Sequence, residues 1–319
     1  MIQYPSIAIR LPRVAGNARW ILAVGCGLGS LLAAAPAPPS DASQALAPAS
    51  RLASLSSFVY VEPGESISAT GFVIMGAEEK FLLLRGVGLG LRQFGVNDGL
   101  PDPVLHVRNA AGREIYRNSG WREERDPDQI RRVTADVGAF PLAADSIDAA
   151  LLVRLTPGAY TLTVESASGC AGSVLAEIYD ASCTGSLANV ATIADISAAH
   201  PAFYGTFRVT GITPKKLLIR AIGPALGAVG VNRALPDPKL TLYNYAGAGS
   251  VTHNDDWGDS DAADTDPAIA AVACGAFPLP SGGKDAAVLI QLAPGVYTVK
   301  ITGKGSDAGL ALLEIYEVP

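Results

Sequence analysis

The segment LLLRGVGLGLRQFGVNDGLPDPVLHV at residues 82–107 recurs in similar form as LLIRAIGPALGAVGVNRALPDPKLTL at residues 217–242. Three further pairs of segments match at nearly the same spacing: GAFPL at 138–142 and 275–279, DAALLVRLTPGAYTLTV at 148–164 and DAAVLIQLAPGVYTVKI at 285–301, and AGSVLAEIY at 171–179 and AGLALLEIY at 308–316. The offset stays at 135–137 residues throughout. The chain therefore contains two copies of one repeat unit, and each copy is long enough to form its own hydrophobic core.

The sequence pattern predicts that each copy consists of short strands separated by turns. VLHVRN at 104–109 alternates apolar and polar residues, which is the pattern of a half-buried strand. AALLVRL and AAVLIQL each run into a Pro-Gly pair, at 157–158 and 294–295, and this indicates a hairpin. About seven or eight strands are expected per copy. Helix is expected only as a turn or two near 127–135 and 266–273.

The predicted fold class is all-β, with two tandem antiparallel β-sandwich domains of jelly-roll type and little helix. The first sandwich is assigned to residues 52–183 and the second to residues 184–319. A content of 34 Gly and 22 Pro in 319 residues suits many turns. A doubly wound α/β fold is excluded, because no long amphipathic helix separates the strands.

The N-terminus has the features of an export signal. Three arginines precede the uncharged apolar run 20–35, and residues 1–35 are predicted to be a cleaved signal peptide. An uncleaved anchor is the alternative, but the run is shorter than the roughly 20 residues of a membrane span. Lipidation at Cys26 is a second alternative, although the apolar run continues past it. Residues 36–51 read as a Pro/Ala/Ser linker.

Charge and compartment limit the partners. The chain carries 24 Lys and Arg against 30 Asp and Glu, a net charge of −6, which argues against nucleic-acid binding. Signal cleavage removes three arginines and leaves no stable membrane span. The expected location is secreted, cell-surface or periplasmic, and the expected partner is an extracellular glycan or protein.

Several short motifs carry a family resemblance. In the second copy they stand as Arg220-Ala-Ile-Gly-Pro224, Leu235-Pro-Asp-Pro238, Asn254-Asp-Asp-Trp257, Gly275–Leu279, Pro294-Gly-Val-Tyr-Thr298 and Glu314-Ile-Tyr316. Together they resemble a tandem β-sandwich repeat of exported bacterial proteins, over about residues 52–319. The strand-turn after Leu240 and the Pro-Gly-x-Tyr-Thr hairpin are also similar to pre-peptidase C-terminal domains, which are β-sandwiches appended to secreted enzymes.

The resemblance implies a non-catalytic exported module and no particular ligand. The first copy departs from the pattern, since Leu89 stands in place of Pro and Asn118-Ser-Gly-Trp121 replaces Asn-Asp-x-Trp. A ligand that needs the acidic position of this motif should therefore bind only the second copy.

An arginine lies within an apolar strand of each copy, at Arg85 and Arg220. Because a buried unpaired charge is costly, each needs a carboxylate partner. We expect an ion pair inside each sandwich, with Glu177 and Glu314 favoured over the two aspartates Asp148 and Asp285. Either the ion pair stabilises the fold, or the arginine binds an anionic ligand.

The acidic loop of the second copy is a candidate metal site. Asp255, Asp259 and Asp261 supply three carboxylates in a Gly-containing segment, and calcium favours such oxygen ligands. The spacing is not that of an EF-hand. A solvated acidic turn is the alternative, and no other cofactor is expected.

Two tryptophans, Trp121 and Trp257, recur at matching positions. Each is expected either to pack in the core or to stack exposed on the rings of a sugar ligand.

No catalytic motif is present. His106, His200 and His253 do not recur between the copies, and the chain has no nucleophile elbow, zinc-helix motif or phosphate-binding loop. The prediction is a non-enzymatic exported protein for extracellular binding or adhesion. A structural subunit of a surface coat or filament and a hydrolase with an unrecognised carboxylate site are the alternatives.

Overall fold

The computed structural model describes residues 50–62, 69–182, 186–245, 249–259 and 266–319. The predicted signal peptide and nearly all of the predicted linker lie outside these residues. None of the helices in the described part of the chain has the length and apolar composition of a membrane-spanning segment.

The described chain is mostly β-strand, as the alternation of apolar and polar residues predicts. Its strands are β1 (Arg51–Val61), β2 (Ala69–Met75), β3 (Lys80–Val87), β4 (Pro103–Asn109), β5 (Glu114–Asn118), β6 (Ala149–Leu155), β7 (Gly158–Ser166), β8 (Gly172–Asp180), β9 (Ser186–Ile196), β10 (Phe203–Thr210), β11 (Lys215–Ile222), β12 (Pro238–Asn244), β13 (Ser250–Asn254), β14 (Ala286–Leu292), β15 (Gly295–Gly303) and β16 (Gly309–Glu317). Two short α-helices accompany them, α1 (Pro127–Asp136) and α2 (Pro267–Cys274), together with three 3-10 helices at Leu89–Phe94, Trp121–Glu123 and Pro224–Val229.

The strands form two antiparallel sheets of eight. The first sheet has the order β13-β12-β15-β10-β1-β8-β3-β6, and the second has the order β14-β11-β16-β9-β2-β7-β4-β5. Each sheet takes four strands from the first copy and four from the second. The copies meet strand to strand at β1 with β10 and at β2 with β9.

This order has an internal two-fold relation. When each strand is replaced by its equivalent in the other copy, the first order becomes the second one read backwards. The copies therefore join side by side through both sheets, whereas the sequence pattern predicts one sandwich after another. The physical reason is that β1 and β2 would otherwise be open sheet edges, and here each of them pairs with a strand of the other copy.

The main core lies between the two sheets and runs through both copies. One cluster of buried residues includes Leu82 and Leu84 of the first copy together with Leu217 and Ile219 of the second. Stacked aromatic rings recur at matching positions, with Phe72 on Tyr160 at 5.5 Å and Phe207 on Tyr297 at 5.6 Å between ring centroids. Repeated sequence phrases thus occupy equivalent surroundings.

The two helices begin alike and cover opposite sheets. The side chain of Asp126 accepts from the backbone N–H of Gln129 at 2.9 Å, and that of Asp266 accepts from Ala268 at 2.7 Å. Each cap is followed by a proline, which suits the first helical position. Helix α1 packs on the outer face of β3 and β6, and α2 packs on β11 and β16.

Candidate functional site

The buried arginine of the first copy faces a glutamate across two neighbouring strands. Arg85 on β3 lies opposite Glu177 on β8 in the sheet register. Its Nε donates to Glu177 Oε2 at 2.7 Å, and both side chains are fully buried.

Neighbouring residues add further hydrogen bonds to this pair. Arg85 Nη1 donates to the carbonyl oxygen of Phe140 at 2.6 Å, and its guanidinium lies 4.4 Å from the centroid of that ring. The hydroxyl of Tyr179 donates to Glu177 Oε1 at 2.5 Å, and Ser56 donates to the same oxygen at 3.3 Å. Burial raises the pKa of the Tyr179 hydroxyl, and the Glu177 carboxylate raises it further.

The second copy repeats the arrangement. Arg220 Nε donates to Glu314 Oε2 at 2.9 Å, and Nη1 donates to the carbonyl oxygen of Phe277 at 2.7 Å. The hydroxyl of Tyr316 donates to Glu314 Oε1 at 2.8 Å. The arginine, the glutamate, the tyrosine and the carbonyl group of the network therefore have counterparts in both copies.

The pair does not lie between the sheets, contrary to the expectation that it sits inside the sandwich. Leu82 and Leu84 point into the inter-sheet core, so Leu83 and Arg85 point to the outer face of the first sheet. The segment containing Phe140 covers the arginine there. The guanidinium of Arg85 is therefore buried and paired with Glu177 within the fold.

Asp148 and Asp285, the alternative partners of the two arginines, instead accept hydrogen bonds from the backbone of a turn. Asp148 Oδ1 accepts from the backbone N–H of Gly88 at 2.8 Å, and Asp285 Oδ1 accepts from that of Gly223 at 2.8 Å. Burial raises the pKa of Asp285. Because the folded state then binds this proton more tightly than the unfolded state, the free energy of unfolding falls as the pH rises from the ordinary aspartate range through the raised pKa.

The two tryptophans differ in burial. Trp121 is 1% exposed and packs against Leu83 and Ile130, so it offers no free ring face for a sugar. Trp257 is half-buried, and its Nε1 donates to the carbonyl oxygen of Pro280 at 3.0 Å.

Two lysine side chains form ion pairs with the acidic loop of the second copy. Lys304 Nζ lies 2.9 Å from Asp255, and Lys284 Nζ lies 2.6 Å from Asp256. Asp259 is exposed, and Asp261 lies outside the described residues. The described part of the chain holds no group of three or more His, Cys, Asp or Glu side chains placed for a metal ion. The calcium site stays a prediction.

Among the described residues, each copy has one outer sheet face on which neither α1 nor α2 packs. In the first copy this face carries a charge cluster that the sequence pattern does not predict. His106 Nδ1 lies 2.7 Å from Glu114 and its Nε2 lies 3.5 Å from Glu165, while Arg108 lies within 4.0 Å of both carboxylates. The hydrogen bond from His106 lowers the pKa of Glu114. The alternation in VLHVRN places His106 and Arg108 on one face, but only strand pairing brings the glutamates to them.

The matching face of the second copy is built differently. We call it the open face and define it by six outward-pointing residues of β10, β12 and β15: Tyr204, Arg208, Lys239, Thr241, Tyr243 and Lys300. They point outward because their neighbours, such as Leu240, Leu242 and Val299, belong to the inter-sheet core. All six are partly exposed to solvent.

The open face is positively charged. Strands β10, β12, β13 and β15 contain no aspartate or glutamate. Neither Lys239 nor Lys300 forms an ion pair with any described residue, and Arg208 Nη1 donates to the carbonyl oxygen of Val137, at 3.3 Å. In the second copy Thr302 stands in the place of Glu165, so the carboxylate of the first copy has no equivalent at this position.

In comparisons with known proteins, no model of a protein family matches the chain, and no curated protein matches it either.

Proposed function

We propose that the protein is an exported, non-catalytic binding protein that holds an extracellular ligand on the open face. The open face carries the proposal, because it joins tyrosines, hydroxyls and free cations on a surface that no described helix covers. The most conspicuous buried charges, Arg85 with Glu177 and Arg220 with Glu314, are already engaged within the fold.

We further propose that each copy has the topology of a jelly roll and that the two jelly rolls share their sheets. Support comes from the strand order, in which β1-β8-β3-β6 of the first copy faces β2-β7-β4-β5, and the second copy has the equivalent order. Eight strands in two four-stranded sheets are the composition of a jelly roll, an architecture shared by many lectin domains.

Binding to an array of extracellular polysaccharides and matrix proteins tests the function. We expect the protein to bind a member of the array, and Tyr204→Ala to weaken that binding at least about tenfold, because aromatic side chains dominate binding surfaces. Tyr116→Ala is the matched control, since Tyr116 lies on β5 of the first copy and is 38% exposed. The proposal fails if the array gives no binding, or if both variants bind as the parent does.

A surface-coat or filament subunit is the second candidate, and helix α2 favours it. Ile269 is 68% exposed and Val272 is 81% exposed. A helix that is apolar all round normally has a buried surface on every side. At the equivalent place α1 exposes Asp128, Arg131 and Arg132, so the first copy carries charge where the second is apolar.

Self-association tests the subunit function. If α2 is a contact between copies of the chain, the protein forms larger species as its concentration rises, and Val272→Lys returns it to the monomer, because an ammonium group is costly to bury there. Gln129→Lys places the same charge on α1 and should leave the association unchanged. Light scattering coupled to size-exclusion chromatography gives the mass. A parent protein that stays monomeric at the highest concentration contradicts this candidate.

A further inference from the structure

We infer that the ligand of the open face is an acidic polysaccharide. This inference rests on the proposed function and names the chemical class of ligand that the face fits.

The charge of the open face differs in sign from that of the whole chain. The chain has a net charge of −6, whereas the residues that define the open face include Arg208, Lys239 and Lys300 and no carboxylate. The acids next to the ends of β12 and β13, Asp237 and Asp255, lie beside Lys304, which offsets their charge. A positive face on a negative protein attracts an anion to that one place and repels it elsewhere. The ligand is therefore expected to be negatively charged.

The spacing of the cations suits a polymer. Tyr204, Lys300 and Thr241 lie opposite one another on three neighbouring strands, and thus form one row across the sheet. Lys239 pairs with Thr302, which places it diagonally from Lys300, at about 7–8 Å between Cα atoms. Two lysines on neighbouring strands of one face can contact successive anionic groups of a polymer.

The remaining side chains indicate sugar rings. Tyrosine offers an apolar ring with a polar edge, and the hydroxyl of Thr241 can both donate and accept. A nucleic acid would need more cations than the few on this face, because its affinity comes from many phosphate contacts.

The first copy supplies an internal comparison. Its equivalent face has its own glutamates beside Arg108, so the charge of this arginine is offset within the protein. We expect one polysaccharide site per chain, in the second copy.

Equilibrium binding to defined polymers tests the inference. The probes are the acidic polysaccharides alginate, hyaluronan and heparin, the neutral polysaccharide dextran, and double-stranded DNA. We expect at least one acidic polysaccharide to bind at least about tenfold more tightly than dextran and DNA, with an affinity that falls as salt is added.

The variant Lys239→Gln/Lys300→Gln should lower that affinity at least about tenfold. The control Arg92→Gln/Arg113→Gln removes the same charge from exposed sites of the first copy and should bind as the parent does. An unchanged melting temperature verifies folding of both variants. An equal loss of affinity in both double variants would show that the open face is not the binding site.

Other outcomes distinguish failure of the acidic-ligand inference from failure of the proposed binding function on which it rests. Equally tight binding of dextran that depends on Tyr204 overturns the acidic ligand and leaves the binding function intact. DNA binding as tight as that of the acidic polysaccharides overturns the polysaccharide class. No binding to any polymer or array member overturns the inference together with the function.

Discussion

Replacing Arg85 by methionine is expected to lower the free energy of unfolding by about 3–5 kcal/mol, because Glu177 would be left as a buried carboxylate without its cation. Glu177 is fully buried, and its remaining donors, Ser56 and Tyr179, are neutral. Urea unfolding followed by circular dichroism measures the change. This is among the largest effects expected for a single side chain in this protein.

Matched variants identify the cause of that loss. Arg154→Met removes an exposed arginine that lies over Phe81, and it should cost less than about 1 kcal/mol. Adding Glu177→Gln to Arg85→Met should recover part of the stability, since glutamine removes the charge and keeps an acceptor for Tyr179. A loss as small as that of Arg154→Met would contradict a structural ion pair.

The same change in the second copy, Arg220→Met, separates the two roles considered for the arginines. A structural pair predicts a loss of stability similar to that of Arg85→Met. Retained stability with loss of ligand binding would instead assign Arg220 to the ligand and contradict a purely structural pair in the second copy.

Neither copy expressed alone is expected to be a folded monomer. A fragment of residues 50–182 would lose the partners of β1 and β2, and both strands would become open edges. It would also expose the part of the core that continues into the second copy. We expect the fragment to form a two-fold dimer through these edges or to aggregate, whereas the whole chain unfolds in a single cooperative transition.

Light scattering with size-exclusion chromatography and scanning calorimetry measure both expectations. The control is an equimolar mixture with a fragment of residues 186–319, which should restore a one-to-one complex with the melting behaviour of the whole chain. A monomeric fragment that melts near the temperature of the intact protein would contradict the shared sheets, because each copy would then be an independent module.

The local sequence pattern was sufficient to predict the fold class and to match the equivalent segments of the two copies. Apolar and polar alternation and Pro-Gly turns depend on a few adjacent residues, so they predict strands and hairpins directly. The same holds for the helical segments near 127–135 and 266–273, where α1 and α2 are found. The repeat also predicted that Arg85 and Arg220 have equivalent surroundings.

Strand-forming patterns and repeats are properties of adjacent residues, so they predict antiparallel strands in two matching copies. Three features could be read only from the folded chain: the copies share both sheets, Arg85 points away from the inter-sheet core, and Lys239, Lys300 and Tyr204 come together on the open face. These features depend on which distant strands pair, and the alternation within a strand does not specify its neighbour.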